Sequence, residues 1–429
     1  MVKRQEKKSV VLKHLARRTT PTFLYANELA SLLSAILMKK TALLGKVITK
    51  HHCIDDGIVV VEDNKIIFVG NQTDYDTNEN SLLTQLNYPD GWIIPGLIDI
   101  HVHGNANLDV MDAEISSLRG IAKSLCSYGV TSFLATTMTM PMDQILKALY
   151  VVLEYQKDPG PYAQLIGVHL EGPFISPKQK GAQKEEDILL PTKANIEKIQ
   201  HALKDQLRVV TLAPEIPHAE EAIHQLSKEG TICSIGHTDA TMEDVNTALE
   251  AGATHFTHLY NAMKGLHHRE PGVVGCALLN HDASCDIIAD MVHVHSGAVR
   301  LAYEQKTRER LLLISDGMRA VGMGDGTFDL GGQKVNVHHC IARLDDGTLA
   351  GSTLTLNRAI KNMVQTVGTS IVDAIYMGST APAKKLGMDH IKGSLEIGKD
   401  ADVVVLSDEF EVQLTMIQGK VVYQEDRLH

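Results

Sequence analysis

The sequence is short of three things that would each point to a different kind of protein: positive charge, paired cysteines and long apolar runs. With 41 Lys and Arg against 52 Asp and Glu, the formal net charge is -11. A general nucleic-acid binder or a binder of anionic membranes is thereby excluded, because either partner demands a cationic surface. Any anionic substrate must instead meet a local basic pocket. The six cysteines, at 53, 126, 233, 276, 285 and 340, show no close paired spacing, so neither a disulfide framework nor a zinc ribbon is indicated and a reducing cytoplasm fits. No apolar run reaches the roughly 18 to 20 residues needed to span a bilayer. Residues 1–37 carry seven Lys or Arg against Glu6 and Glu28, but no small-residue cleavage site follows a clear apolar core. They read as a basic, disordered extension rather than a targeting peptide.

What is present is enough apolar material for a large core. A chain of 429 residues that is 44% hydrophobic accommodates one barrel-sized domain and a smaller partner. From Ala42 to Val69, β-rich runs alternate with turn signals: Ile58 to Val61, then Asn64-Lys65, then Ile66 to Val69, which predicts a hairpin. Ala401 to Leu406 and Val421 to Tyr423 have the same texture, so the two ends of the chain can pair. Between them, short apolar runs alternate with segments of helical period, the pattern of strand-helix units around a parallel sheet. The candidate strands are Ile93 to Ile100, Thr131 to Ala135, Leu165 to Leu170, Val209 to Leu212, Thr231 to Ile235, Thr254 to Thr257, Asp286 to Ala289 and Leu311 to Ile314. Met242 to Ala251, followed by Gly252, has the form of a helix with its C-terminal glycine. The expected fold is α/β: a TIM-like (β/α)8 barrel over 96–389, with a small β-sandwich domain built from 38–95 and 390–429.

His101, His103, Glu171, His237, His258 and Asp316 all lie at or just past the C-terminal end of an apolar run. That end of such a barrel carries the active site. One histidine at a strand end is usually structural, satisfied by a backbone carbonyl; five ligand-type side chains and an aspartate on one barrel face point to metal. In His101-Val102-His103 the two imidazoles share one side of a strand and can converge on an ion. Imidazole and carboxylate donors suit zinc, iron, cobalt and other divalent ions, so the residues do not choose among them. One or two ions per subunit are expected, and the paired histidines favour two.

Pro95-Gly96-Leu97-Ile98-Asp99, running into His101 and His103, resembles the opening metal motif of the amidohydrolase superfamily, and Gly393 to Val403 resembles its C-terminal return. Within that superfamily, His169-Leu170-Glu171-Gly172-Pro173-Phe174 resembles the segment that supplies the glutamate ligand in N-acetylglucosamine-6-phosphate deacetylases. The resemblance covers roughly 38 to 425. It implies metal ligation by Glu171, His237 and His258, with His101 and His103 available for a second ion bridged by Glu171. It implies that Asp316 is the catalytic aspartate and that His293 contacts the acetyl carbonyl. Phosphate binding falls to the Asn261-Ala262 backbone and Arg269, the latter reaching across the interface of a homodimer or higher homo-oligomer. Gln183 stands where some members carry a sugar-contacting histidine, and Met291 where glycine is more usual. The activity implied is cytoplasmic hydrolysis of a small sugar phosphate, with no nucleic-acid or membrane partner. A cyclic-amide hydrolase or aminohydrolase on the same scaffold, a silent scaffold protein and a sugar-phosphate sensor are the alternatives.

Overall fold

The computed structural model describes residues 40–76, 83–203 and 205–425; the extension expected over 1–37 lies outside them. The chain opens with β1 (Lys40–Ile48), β2 (Cys53–Glu62), β3 (Lys65–Asn71) and β4 (Leu83–Pro95). β2 and β3 form the predicted hairpin, closing with Glu62 opposite Lys65.

The barrel begins at β5 (Leu97–Val102), followed by a short ladder of β6 (Gly104–Asn105) and β7 (Leu108–Asp109) and by α1 (Ile115–Cys126). It continues through β8 (Val130–Thr136), α2 (Met142–Tyr155), β9 (Gln164–Glu171), α3 (Lys193–Leu203), β10 (Leu207–Leu212), α4 (Ala219–Lys228) and β11 (Ile232–Ile235). The circuit ends with α5 (Met242–Ala251), β12 (His255–Phe256), α6 (Gly272–Leu279), β13 (Ser284–Ile288), α7 (Ser296–Arg310) and β14 (Leu311–Ile314). The eight strands β5 and β8 to β14 lie side by side in chain order. Every residue of β5, β8, β13 and β14 is buried, as expected of parallel strands covered on both faces. On α1 the buried Leu118, Ile121, Ala122 and Leu125 recur at helical spacing and form the stripe that seats it on the sheet. Thr241 and Asp244 cap α5 reciprocally, and Gly252 ends it at φ +117°, a left-handed C-cap that glycine adopts without strain.

Past β14 comes an element the sequence reading did not anticipate: β15 (Gly326–Leu330), β16 (Gln333–His338) and β17 (Ile341–Leu344), a three-stranded antiparallel sheet. Gly331 and Gly332, both at positive φ, make the two-residue turn whose twist matches a hairpin. Leu330, Val335, Val337 and Ala342 pack on Met138, Ala182 and Met318, residues that follow β8, β9 and β14. The insert therefore sits over the C-terminal mouth of the barrel.

The chain then returns through β18 (Val403–Leu406), β19 (Val412–Ile417) and β20 (Lys420–Gln424). β18 pairs with β4, Val403 opposite Pro95, so both ends of the described chain share one seven-stranded sheet. A register break between Gly45 and Lys46 bends β1 against β4. Across that bend Leu43, Val59, Val61 and Ile66 meet Val403, Val405, Leu414 and Met416 in one apolar cluster, which makes the sheet two layers thick. On the barrel underside, buried Lys392 reaches Asp402 at 2.9 Å and Ser132 at 2.8 Å, tying the return segment to β8. No helix among the described residues is long and apolar enough to cross a membrane.

Candidate active site

His101 and His103 stand at the end of β5, Glu171 closes β9, and His237, His258 and Asp316 follow the last residues of β11, β12 and β14. Three of them carry left-handed backbone: His237 at φ +49°, His258 at +33° and Asp316 at +48°. For a residue with a Cβ this conformation costs on the order of 1–3 kcal/mol and persists where surrounding structure enforces it, commonly at functional sites. Each of these turns swings a side chain off its strand and into the mouth.

The six side chains converge. Glu171 Oε1 lies 3.1 Å from His258 Nε2, 3.3 Å from His237 Nε2 and 3.3 Å from His101 Nε2. Its Oε2 lies 3.2 Å from His103 Nε2. Asp316 Oδ1 stands 3.4 Å and 3.3 Å from the same nitrogens of His101 and His103. Two potential ligand groups result, His101–His103–Glu171 and Glu171–His237–His258, all buried and joined at Glu171. Donors bound about 2.1 Å from one tetrahedral ion stand about 3.4 Å apart, close to these separations.

A second observation makes the case for a cation. His237 Nδ1 faces the Gln179 carbonyl at 3.0 Å and His258 Nδ1 the Asn261 carbonyl at 3.1 Å. Each Nδ1 must therefore be a donor, so in the neutral imidazole that a metal ion requires each Nε2 is a bare lone pair. Those two lone pairs face each other at 3.2 Å and also face the Glu171 carboxylate. Such an arrangement of donors is repulsive until a positive charge lies among them.

The electrostatics agree. Burial opposes charge on the imidazoles, yet the Glu171 and Asp316 carboxylates overcome it and hold His103 up at about 10 and His258 at about 9. Desolvation would raise Glu171, but His101, His103 and His237 keep it well below the ordinary carboxylate range. Asp316 is likewise lowered against its burial by His101 and His103, so it is ionised and able to accept a proton. The same field that favours a proton here favours a divalent ion.

A cavity of about 630 Å³ opens over this cluster, lined by Glu171, His237, His258, Asn261, Ala262, His293, Asp316 and Gln183. His293 is held by Asp290, its Nδ1 2.7 Å from Oδ2. Asn261 and Ala262 follow His258 on the same loop, with Ala262 at φ +46°. Gln183, on the cavity wall, donates from Nε2 to Glu171 Oε2 at 3.2 Å, while Oε1 accepts from the Thr139 backbone at 2.7 Å. Both ends of its amide are thus engaged. Arg269 is absent from the cavity wall of its own chain and lies with its guanidinium 2.9 Å from His268. Met291 sits at φ +65°, which explains why glycine suits that position better. Sequence reading missed Lys178, Lys180 and the insert residues Leu330, Arg343 and Thr348 on the same wall. It also missed Asp286, whose Oδ1 accepts from the His258 backbone while Oδ2 faces His255 Nε2 at 3.1 Å.

The sequence matches the amidohydrolase family over residues 92–422. This chain belongs to that family. The amidohydrolase is 40% identical over 380 residues to the N-acetylglucosamine-6-phosphate deacetylase of Bacillus subtilis (strain 168), covering 88% of this chain and 95% of the relative. It is 41% identical over 329 residues to the N-acetylgalactosamine-6-phosphate deacetylase of Escherichia coli O157:H7, covering 77% and 87%. The crystal structure of N-acetylglucosamine-6-phosphate deacetylase from Pasteurella multocida resembles it with a TM-score of 0.84 at 29% identity, over 89% of this chain and 99% of that one. Amidohydrolases are metal-dependent, in keeping with the two ligand groups built around Glu171.

Proposed function

We propose that this amidohydrolase hydrolyses N-acetyl-D-glucosamine 6-phosphate to D-glucosamine 6-phosphate and acetate, a step of amino sugar catabolism and recycling. The observation that carries the reading is the meeting of Glu171, His237, His258, Asp316 and His293 in one cavity, in a chain whose relatives of matching length are deacetylases of N-acetylhexosamine 6-phosphates.

Glu171, His237 and His258 would hold the divalent ion, which supplies Lewis acidity that lowers the pKa of water and polarises the acetamide carbonyl. His101 and His103, with Glu171, form the place for a second ion; zinc and iron both suit this donor set. Asp316 takes the proton of the attacking water as its oxygen bonds to the carbonyl carbon. His293 stabilises the negative charge that develops on the carbonyl oxygen. Asp316 returns the proton to the sugar nitrogen as the C–N bond breaks, so acetate and the free amine leave.

The phosphate meets the backbone of Asn261 and Ala262, with Lys178, Lys180 and Arg343 on the same wall. Arg269 joins from a second copy of the chain. In support, Arg269 is off its own cavity, and Leu266, three positions before it, is 61% exposed. Six unpaired cysteines suit a cytoplasmic setting.

The relative that acts on the galactosamine epimer supports a second reading, in which N-acetylgalactosamine 6-phosphate is a substrate as well. Acetate release by the purified protein from each phosphorylated sugar, with unphosphorylated N-acetylglucosamine as control and metal measured on the same sample, tests both. Phosphate-dependent release that chelation abolishes and metal restores is the expected result. Metal-loaded protein releasing no acetate from either sugar would move the assignment to another amide.

A further inference from the structure

The barrel ladder ends at β14 on one side and β5 on the other, and the closing seam is made by the turn that carries Asp316. Asp316 N donates to His101 O at 2.9 Å, and Gly317 O accepts from His103 N and Gly104 N at 2.9 and 3.0 Å. Behind this seam lies Asp99, wholly buried on β5 and absent from the cavity wall. Its Oδ2 accepts from Ser315 Oγ at 2.5 Å, and its Oδ1 accepts from the backbone nitrogens of Ser315 and His101, both at 3.3 Å. Ser315 Oγ in turn accepts from Gly317 N at 3.0 Å. Ser352 grips the other side, donating from Oγ to Ser315 O at 2.6 Å and from N to Asp316 O at 2.8 Å. The left-handed backbone of Asp316 is thus fixed at both of its own hydrogen-bonding groups and at both neighbours.

We propose that Asp99 and Ser315 form a positioning clamp across the barrel seam that sets the Asp316 carboxylate against His101 and His103, acting on the reaction through Asp316 without touching substrate. A buried aspartate serving only to satisfy core hydrogen bonds would affect stability alone. A clamp affects turnover, because displacement of a reacting group by about 1 Å can cost about a hundredfold. The proposal rests on Asp316 being the proton acceptor in the reaction above.

The test is Ser315→Ala, with Asp99→Asn as the isosteric second variant that keeps an oxygen for the backbone nitrogens but loses an acceptor for the serine hydroxyl. Crystal structures, metal content and steady-state kinetics are compared with the unaltered protein. The expected result is an Asp316 carboxylate displaced from His101 and His103, kcat lowered about tenfold to a hundredfold, and KM and metal content within twofold. In an Asp316→Asn background, Ser315→Ala should add almost nothing, since both act through one group. Unmoved Asp316 with unchanged kcat, or equal losses in both backgrounds, would overturn the clamp. Should the unaltered protein release no acetate, the functional reading fails, and the position of Asp316 in the variant structures still decides the clamp.

Discussion

His237 and His258 each have their outer nitrogen fixed by a backbone carbonyl, whereas the outer nitrogens of His101 and His103 are buried without a partner among the described residues. The two pairs share Glu171, yet one is oriented in advance and the other is not. An anchored imidazole presents a defined tautomer and has little orientation left to lose when it binds an ion. The Glu171–His237–His258 group would therefore be the tighter metal site and His101–His103–Glu171 the weaker one, even though His101 and His103 come from a regular strand and the other pair from strained turns. Regular backbone does not by itself make the better ligand.

The change that erases the contrast is Glu171→Gln, because both groups lose their shared carboxylate. Metal content should fall to near zero and kcat/KM by about ten-thousandfold, as when one member of a catalytic unit is removed; elemental analysis and acetate release measure both. Next in size, Asp316→Asn should slow single-turnover hydrolysis by about a hundredfold to ten-thousandfold with metal retained. Retained single-turnover rate would remove Asp316 as the proton acceptor. His103→Ala should separate the groups, losing the weaker ion while keeping the tighter one. Stepwise chelation of the unaltered protein should follow the same order, and simultaneous loss of both ions would refute the ranking. Gln183→Leu sharpens the contrast further: loss of its bond to Glu171 should weaken metal binding by about tenfold with KM little changed. A raised KM with unaltered metal binding would restore Gln183 to the sugar. The smallest effect belongs far from both groups, at Glu396, where Lys399, Lys50 and Ser394 overcome desolvation and hold the carboxyl down at about 2. A depressed carboxylate stabilises above its unfolded value of 4.5 and loses that contribution as pH falls toward 2. Partial exposure keeps it below about 1 kcal/mol, so Glu396→Gln should shift urea unfolding slightly at pH 7 and by a smaller amount at pH 2.5.

The barrel strands were legible because doubly covered parallel strands leave unbroken apolar runs, and Leu311 to Ile314 has the same ends in sequence and structure. The residues that converge at the barrel mouth were legible because each stands where such a run stops. The insert was not, although Gly331-Gly332 between Leu330 and Val335 is a hairpin signal. Its strands are short and few of their residues are buried, so they lack the unbroken apolar runs that mark the barrel strands. The engagement of Gln183 with Glu171 and of Asp99 with Ser315, the latter 216 positions apart, depends on barrel closure, which no local pattern encodes. Arg269 was legible as a motif residue, and its place outside the cavity of its own chain agrees with the expectation drawn from the resemblance, although spacing alone carries no signal for it.

The left-handed turns at His237, His258 and Asp316 also bear on how this sequence can change. Glycine at any of the three would relax the backbone, and selection for thermal stability alone would reward it. Yet glycine has no side-chain ligand or base, so each such gain would delete part of the proposed reaction machinery. Stability and hydrolysis pull these three codons in opposite directions, and variants recovered from a heat-tolerance screen without an activity filter should accumulate losses of function there first.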